Sequence, residues 1–189
     1  MPKVLVVYKK SAYQLYVLQR RDPHLSRLLR HGQPDARELR RAHHVHQRTL
    51  ETVMTSLKHA GVDWQLRYRG DLRTTARYTL IICVGGDGTV LQASHLTGAT
   101  PILGVNSDPR RSEAVFCAAT RQNFARLLRQ ALLGELLAMP LYRLQIRLNG
   151  RLIGPLALND VLIAHDDPAT MSRYRLRIGA RSEDQKSSG

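Results

Sequence analysis

Gly85-Gly86-Asp87-Gly88-Thr89 is the stretch of this chain whose residue types and spacing best suit chemistry on a bound ligand. Three glycines let a backbone turn sharply and come close to a ligand. An apolar run, Tyr78 to Val84, precedes the pentad, and a helix-like run, Val90 to Leu96, follows it. The pentad therefore falls where a buried strand ends and a helix begins. Free N–H groups and the helix dipole favour phosphate at such a point. Asp87 adds one carboxylate there, which repels phosphate unless it has a task such as accepting a proton or holding a metal. An ordinary tight turn is the plain alternative, and the strand–turn–helix context argues against it. The pentad is neither a Walker A loop, since no Gly-Lys-Ser/Thr follows, nor a G-x-G-x-x-G fingerprint.

The elements that must position this loop follow from periodicity. Lys3 to Tyr8 reads as a central parallel strand, nearly all apolar. Residues 19–34 read as loop or short helical pieces. A long helix is expected from Asp35, its cap, to Ala60, with Gly61 as its stop. Val62 to Arg69 alternates and reads as a second strand, and Pro101 to Val105 as a strand after the glycine loop. Strands alternating with helices imply a parallel α/β sheet. A helix from Thr120, its expected cap, to Leu133 leads on to a different pattern. After residue 136, Tyr142, Leu144, Ile146 and Leu148 alternate with polar residues, and Asn149-Gly150 marks a hairpin. Short strands are expected at 156–158, 161–163 and 174–178. The fold class is thus α/β, a Rossmann-like domain over 1–135 followed by an incomplete antiparallel β-rich domain over 136–189. The chain stops at Lys186-Ser187-Ser188-Gly189 without a closing element, so truncation is expected.

A chain of 189 residues can bury a real core. Its 43% hydrophobic and 23% charged residues are ordinary for a globular protein. The net charge of +14 is not ordinary, and comes from 24 Arg and 5 Lys against 15 acids. Such charge attracts polyanions, but the arginines are scattered, with neither a basic tail nor zinc-finger spacing, so nucleic acid is not the expected partner. Cys83 and Cys117 read as buried core residues in a reducing compartment. The apolar run at residues 4–7 is too short for a signal peptide, and no stretch reaches membrane-spanning length. A cytoplasmic protein is expected, without membrane partners. His43, His44 and His46 read as a solvated helix face, and no metal site is expected. Lys9 and Lys10 fall at the same sheet edge as the glycine loop. A phosphate contact is open to them, with plain surface charge the favoured reading. Arg110 and Arg111 stand evenly between holding a phosphate and solvated loop charge.

At Gly85 to Thr89 the chain resembles the NAD kinase family. Lipid kinases share that pentad, and phosphofructokinases nearly do. Gly104-Val105-Asn106-Ser107-Asp108-Pro109 is similar to the second NAD kinase motif, and more narrowly to the branch of plant NADH kinases and animal mitochondrial NAD kinases. Ala157-Leu158-Asn159-Asp160-Val161 resembles the family's Asn-Asp/Glu motif, expected on a strand. Together the three cover roughly residues 70–180. The common Gly-x-Asn-x-Gly-x-x-Gly-Phe stretch is replaced here by residues 106–112.

The resemblance implies phosphorylation of the adenosine ribose 2′-hydroxyl of NAD or NADH by ATP with Mg2+, giving NADP(H). It implies Asp87 as the general base, with Gly85, Gly86, Gly88 and Thr89 around phosphate. Asn106 would touch the dinucleotide, and Asn159 and Asp160 its adenine and ribose hydroxyls. It implies a homodimer or higher homo-oligomer. The family's next Gly/Thr-rich segment would follow Ser187-Ser188-Gly189, so the chain is expected to be inactive alone. The alternatives are a lipid or sugar kinase of the same superfamily, or an inactive basic binding module.

Overall fold

The computed structural model describes residues 2–167 and 170–187, without the side chain of Ser187. Residues 188–189, part of the expected approach to the next family segment, lie outside the described residues. The chain divides into two compact units, Met1–Leu158 and Asn159–Gly189. The division comes later than residue 136, where the sequence changes character.

In the first unit five parallel strands form one sheet in the order β2-β1-β3-β4-β5. They are β1 (Lys3–Tyr8), β2 (Asp63–Tyr68), β3 (Leu80–Gly85), β4 (Ile102–Asn106) and the two-residue β5 (Ala119–Thr120). Alternate residues of the two central strands feed two separate cores. Val4, Val6, Ile82 and Val84 meet Leu50, Val53 and Leu57 of helix α2 (Pro34–His59) and Phe124, Leu127 and Leu128 of α4 (Phe124–Leu132). Leu5, Val7, Ile81 and Cys83 meet Val90 and Ala93 of α3 (Asp87–Ser94) on the opposite face. Both faces are covered, which is why β1 and β3 carry almost no polar residues. A π-helical turn (Tyr13–Gln19) and α1 (Pro23–Arg30) fill the connection after β1.

Several boundaries differ from expectation for local reasons. Helix α2 starts one residue early because Pro34 takes the first turn, where a missing N–H costs nothing. Gln33 is its cap residue, and Asp35 lies inside. Gly61 closes the helix at φ +64° as expected. Thr120 is not the cap of α4. It pairs with Asn106 as β5, and Asn123 becomes the cap residue, its Oδ1 accepting the Thr120 N–H at 2.7 Å.

After α4 the pairing turns antiparallel. Strands β6 (Leu144–Leu148) and β7 (Arg151–Ala157) form a hairpin whose Asn149 and Gly150 both have positive φ, 50° and 79°. That is the two-residue turn that Asn-Gly favours. Arg143 ties its start to α3, donating from Nη1 to the carbonyls of Ser94 and Thr97 at 2.8 and 2.6 Å.

The second unit, taken by itself, is a hairpin of β8 (Ser172–Ile178) and β9 (Arg181–Ser187). Arg175 donates to both carboxylate oxygens of Asp184 across it. The expected strand at 161–163 is absent. Leu162 and Ile163 are exposed coil and pair with no strand among the described residues. β9 was not expected, because Arg-Ser-Glu-Asp-Gln-Lys-Ser carries no apolar alternation.

Candidate active site at the sheet edge

The strand order 2-1-3-4-5 reverses direction between β1 and β3. In doubly wound sheets ligands bind beyond the carboxyl ends of the strands at that reversal. Lys9 follows β1 there, and Gly86-Asp87 follows β3. Arg69 follows β2, and Ser107 to Arg111 follow β4.

The pentad is a strand end, a one-residue bend and a helix start. Gly85 still pairs with Asn106 in the sheet. A Cβ on Gly85 would collide with the Thr89 side chain and stand 3.3 Å from Lys9 Cδ, so this glycine is required by packing. Gly86 is extended and Gly88 opens the first turn of α3, and neither would bring a Cβ within 3.5 Å of another residue. Open space beside these two glycines is what a ligand's approach needs. Thr89 is 1% exposed and its Oγ1 has no partner.

Asp87 is half-buried at the start of α3. Its Oδ2 accepts the Val115 N–H at 2.9 Å and its Oδ1 the Phe116 N–H at 2.8 Å. Gly104 makes this clasp possible. A Cβ there would run into the Phe116 carbonyl and come within 2.9 Å of Cys117 Cα. An ionised carboxylate has about four lone-pair sites, so two remain for a ligand hydroxyl. Burial first, and the Asp87 charge second, push the Cys117 thiol up to about 12. Burial also pushes the Cys83 thiol far up. Neither cysteine is a nucleophile near neutral pH.

Asn106 is buried and spends its amide on its own loop. Nδ2 donates to the Ser112 carbonyl at 2.7 Å, and Oδ1 accepts the Asp108 N–H at 3.0 Å. Ser107, fully buried, donates from N and Oγ to the Gly85 carbonyl at 2.8 and 3.1 Å. These bonds fasten the loop after β4 to the end of β3. Arg111 lies 3.7 Å from Glu38, which Arg41 also holds. Asn159 and Asp160 stand exposed just past β7, off any strand, and open the second unit. The first unit thus gathers Gly85 to Thr89 and Asn106, and those two take no part in its geometry.

The histidine cluster is a solvated face only at His44, with His43 half-buried. His46 is 2% exposed and its Nε2 bonds the Lys9 carbonyl at 2.8 Å, so that nitrogen carries the proton. Burial, aided by the Lys9 charge, lowers its pKa to about 4. No group of three His, Cys, Asp or Glu that could hold a metal occurs among the described residues. The surface hollows along the β8–β9 hairpin, lined by residues such as Arg173 and Lys186, belong to the second unit.

Comparison with known proteins decides the family. The family model described as "ATP-NAD kinase N-terminal domain" matches residues 27–135, more than half of the chain. The chain belongs to the ATP-NAD kinase family. It is 38% identical over 150 residues to a probable NADH kinase of Oryza sativa subsp. japonica, covering 70% of this chain and 46% of that protein. It is 35% identical over 122 residues to an NADH kinase of Arabidopsis thaliana, covering 56% and 38%. It is 29% identical over 152 residues to "NAD kinase 2, mitochondrial" of Homo sapiens, covering 77% and 34%. The chain therefore spans less than half the length of these relatives. The human relative's name, shared by the mouse, rat and frog relatives, places those proteins in mitochondria and overturns the expected cytoplasmic location. The cytoplasmic expectation rests on absences, of a disulfide framework, a secretory signal and a membrane-spanning stretch, and none of these bears on import into an organelle. No helix is long and apolar enough to cross a membrane among the described residues.

Proposed function

We propose that the protein is an NAD(H) kinase and that this chain supplies its general base and its phosphate loop. The observation that carries the proposal is Asp87, clasped by two backbone amides at the sheet's reversal point with open space over Gly86 and Gly88. A clasped carboxylate cannot swing away, and positioning supplies most of the catalysis in phosphoryl transfer. In this reading Asp87 accepts the proton of the adenosine ribose 2′-hydroxyl of NAD or NADH. The hydroxyl oxygen bonds the γ-phosphorus of ATP, and ADP leaves with the electrons of the broken P–O bond. Mg2+ enters with the nucleotide, held by phosphate oxygens and waters as that ion prefers. Asn106 orders the loop, and we assign Asn159 and Asp160, by the family resemblance, to hydrogen bonds with the dinucleotide's adenine and ribose hydroxyls; the second domain we place from residue 136 onward. Assembly into a homodimer or larger homo-oligomer belongs to the same proposal, as do the relatives' substrates.

The test is NADP(H) formation from NAD or NADH with Mg-ATP, run beside Asp87→Asn and a panel of lipid and sugar alcohols. Loss of a general base removes about 10²–10⁴ of the rate. An active parent matched in rate by its Asp87→Asn variant would overturn the proposal. So would phosphorylation of the panel alcohols with none of the dinucleotides.

A further inference from the structure

The sequence scatters its arginines, but the fold gathers some of them at the corner between α1 and α2. Residues 20–48 carry eight of the chain's 24 Arg against three acids. Two of those acids are occupied. Asp22 caps α1, accepting the Leu25 N–H at 2.9 Å, and Glu38 is held by Arg41 and Arg111. The third, Asp35, lies on the opposite side of α2 by helical spacing. Helix α1 half-buries Leu25, Leu28 and Leu29 and exposes His24, Arg27 and Arg30 on its other side. Helix α2 buries Leu50, Val53 and Leu57. It exposes Arg37, Arg40, His44 and Arg48, three or four residues apart, as one stripe about 16 Å long. Gly32 joins the helices at φ +64°, and a Cβ there would meet the Arg37 guanidinium, so the α2 stripe begins where the α1 stripe ends. No acid lies within ion-pair distance of Arg27, Arg30, Arg37, Arg40 or Arg48 among the described residues.

This ridge works against the fold. Like charges three or four residues apart on a helix repel each other. The helix dipole favours Arg27 and Arg30, near the end of α1, but opposes Arg37, near the start of α2. An anionic surface laid over the ridge relieves that repulsion. At the other end of α1, large apolar side chains protrude from the π-helical turn. Tyr16 is 40% exposed and Leu18 52%. The turn is tied to α1, because the Tyr16 carbonyl accepts the Asp22 N–H at 2.9 Å. The Arg20 guanidinium lies 5.1 Å from the Tyr16 ring, and Arg21 next to it takes a left-handed φ of 54°.

We propose that this corner docks on the anionic face of a lipid bilayer, with the arginine ridge over headgroup phosphates and Tyr16 and Leu18 at the acyl boundary. No described helix is long and apolar enough to cross a membrane, so the contact is peripheral. The charge alone suits any polyanion. The protruding apolar pair favours lipid, because stable attachment combines basic residues with an apolar insertion, whereas a nucleic-acid backbone gives Leu18 nothing to enter. The docking stands apart from the kinase reading.

The test is co-sedimentation of the chain with phosphatidylcholine vesicles, with and without phosphatidylserine, at low and high salt. The parent is expected to bind only the phosphatidylserine vesicles, and less at high salt. Each ridge arginine removed is expected to weaken partitioning about fivefold, so Arg37→Gln/Arg40→Gln/Arg48→Gln loses about a hundredfold. The same three positions changed to Lys stay within about threefold, because the charge remains. Leu18→Ser is expected to lose about threefold or more. Arg67→Gln/Arg73→Gln/Arg77→Gln removes equal charge from exposed positions elsewhere on the first unit and is expected to lose less than about fivefold. The thermal midpoint of the ridge triple at low salt is expected to equal or exceed that of the parent, and single Arg40→Gln, with its fivefold step, stands in if the triple misfolds. A parent that ignores phosphatidylserine would overturn the proposal. So would equal losses in the two glutamine triples, which would reveal only diffuse attraction by the +14 charge. Vesicle binding untouched by Leu18→Ser, with ridge-dependent binding to duplex RNA of equal strength, would reject lipid in favour of a general polyanion.

Discussion

The glycines around Asp87 serve different purposes, and single substitutions separate them. Gly104→Ala drives a methyl group into the Phe116 carbonyl and Cys117, and so displaces the amides that clasp Asp87. Overpacking of this kind costs about 1–3 kcal/mol, and both the thermal midpoint and NADP(H) formation are expected to fall. Gly88→Ala meets nothing closer than 3.6 Å and replaces a poor helix former. Its midpoint is expected to hold or rise, by up to about 1 kcal/mol, while tripolyphosphate binding drops because the methyl group occupies the ligand's approach. A Gly88→Ala variant that binds as well as the parent would return that glycine to a purely structural role. At this scale the pentad was legible, because its chemistry needs those residue types at that spacing. The clasp on Asp87 was not. It comes from backbone amides 28 and 29 residues downstream, and an amide donor imposes no residue type. Lys9 reads as surface charge because a lysine at a strand end usually is one, and nothing in the local sequence sets Arg69 apart from the other arginines. Only the fold shows that the two face each other across the loop.

Among the elements, α2 has the most to say about the site, because it docks on the end of β1 through His46. The Nε2–H donates to the Lys9 carbonyl whether or not the ring is charged, so it is burial, which leaves Nδ1 without a partner, that keeps the ring neutral. Folded His46 titrates at about 4 against an ordinary 6.5. The unfolded chain therefore binds the extra proton between those values. Stability from this group is complete above about pH 6.5 and declines as pH falls toward 4. Between pH 7.5 and pH 5 the loss amounts to about 2 kcal/mol. His43 shifts in the same direction by burial, so a comparison is needed to isolate His46. His46→Gln keeps a donor and does not titrate. Urea unfolding at the two pH values is expected to show a flatter dependence in that variant, and equal slopes would contradict the assignment. The existence of α2 was plain from its apolar spacing and from Gly61, whereas the burial of His46 was hidden by the two exposed-looking histidines beside it. The elements that escaped were those with weak local signals. β5 has two residues, and β9 has seven polar ones whose pairing with β8 is a long-range choice. The apolar 161–163 misled because apolarity alone does not provide a partner strand.

For the molecule as a whole, near-continuous apolar runs announced a parallel sheet covered on both faces, and the five-strand order agrees with them. The antiparallel segment after α4 leaves Leu137, Tyr142, Leu148 and Leu152 largely exposed on the first unit. Cellular address was not legible in these features, since it is read from short signals rather than from packing. The order of the sheet also governs the course of folding. Central strand β1 touches only partners far along the chain, Val4 aligning with Trp64 on one side and Leu80 on the other. Local helices close quickly, and such distant pairings close late. In pulse-labelled hydrogen exchange during refolding, amides of Val4 to Val7 are expected to gain protection together with Ile81 to Val84, after those in the middle of α2. Protection of β1 ahead of β3 would contradict this. The same arrangement has a consequence on the ribosome. Synthesis runs at about 5–20 residues per second, so the apolar Val4-Leu5-Val6-Val7 segment waits roughly 4–15 s for its β3 neighbour to be made. For that interval a strand that ends up with four residues in a row fully buried is an exposed adhesive edge, and a nascent-chain chaperone has a defined moment at which to hold it.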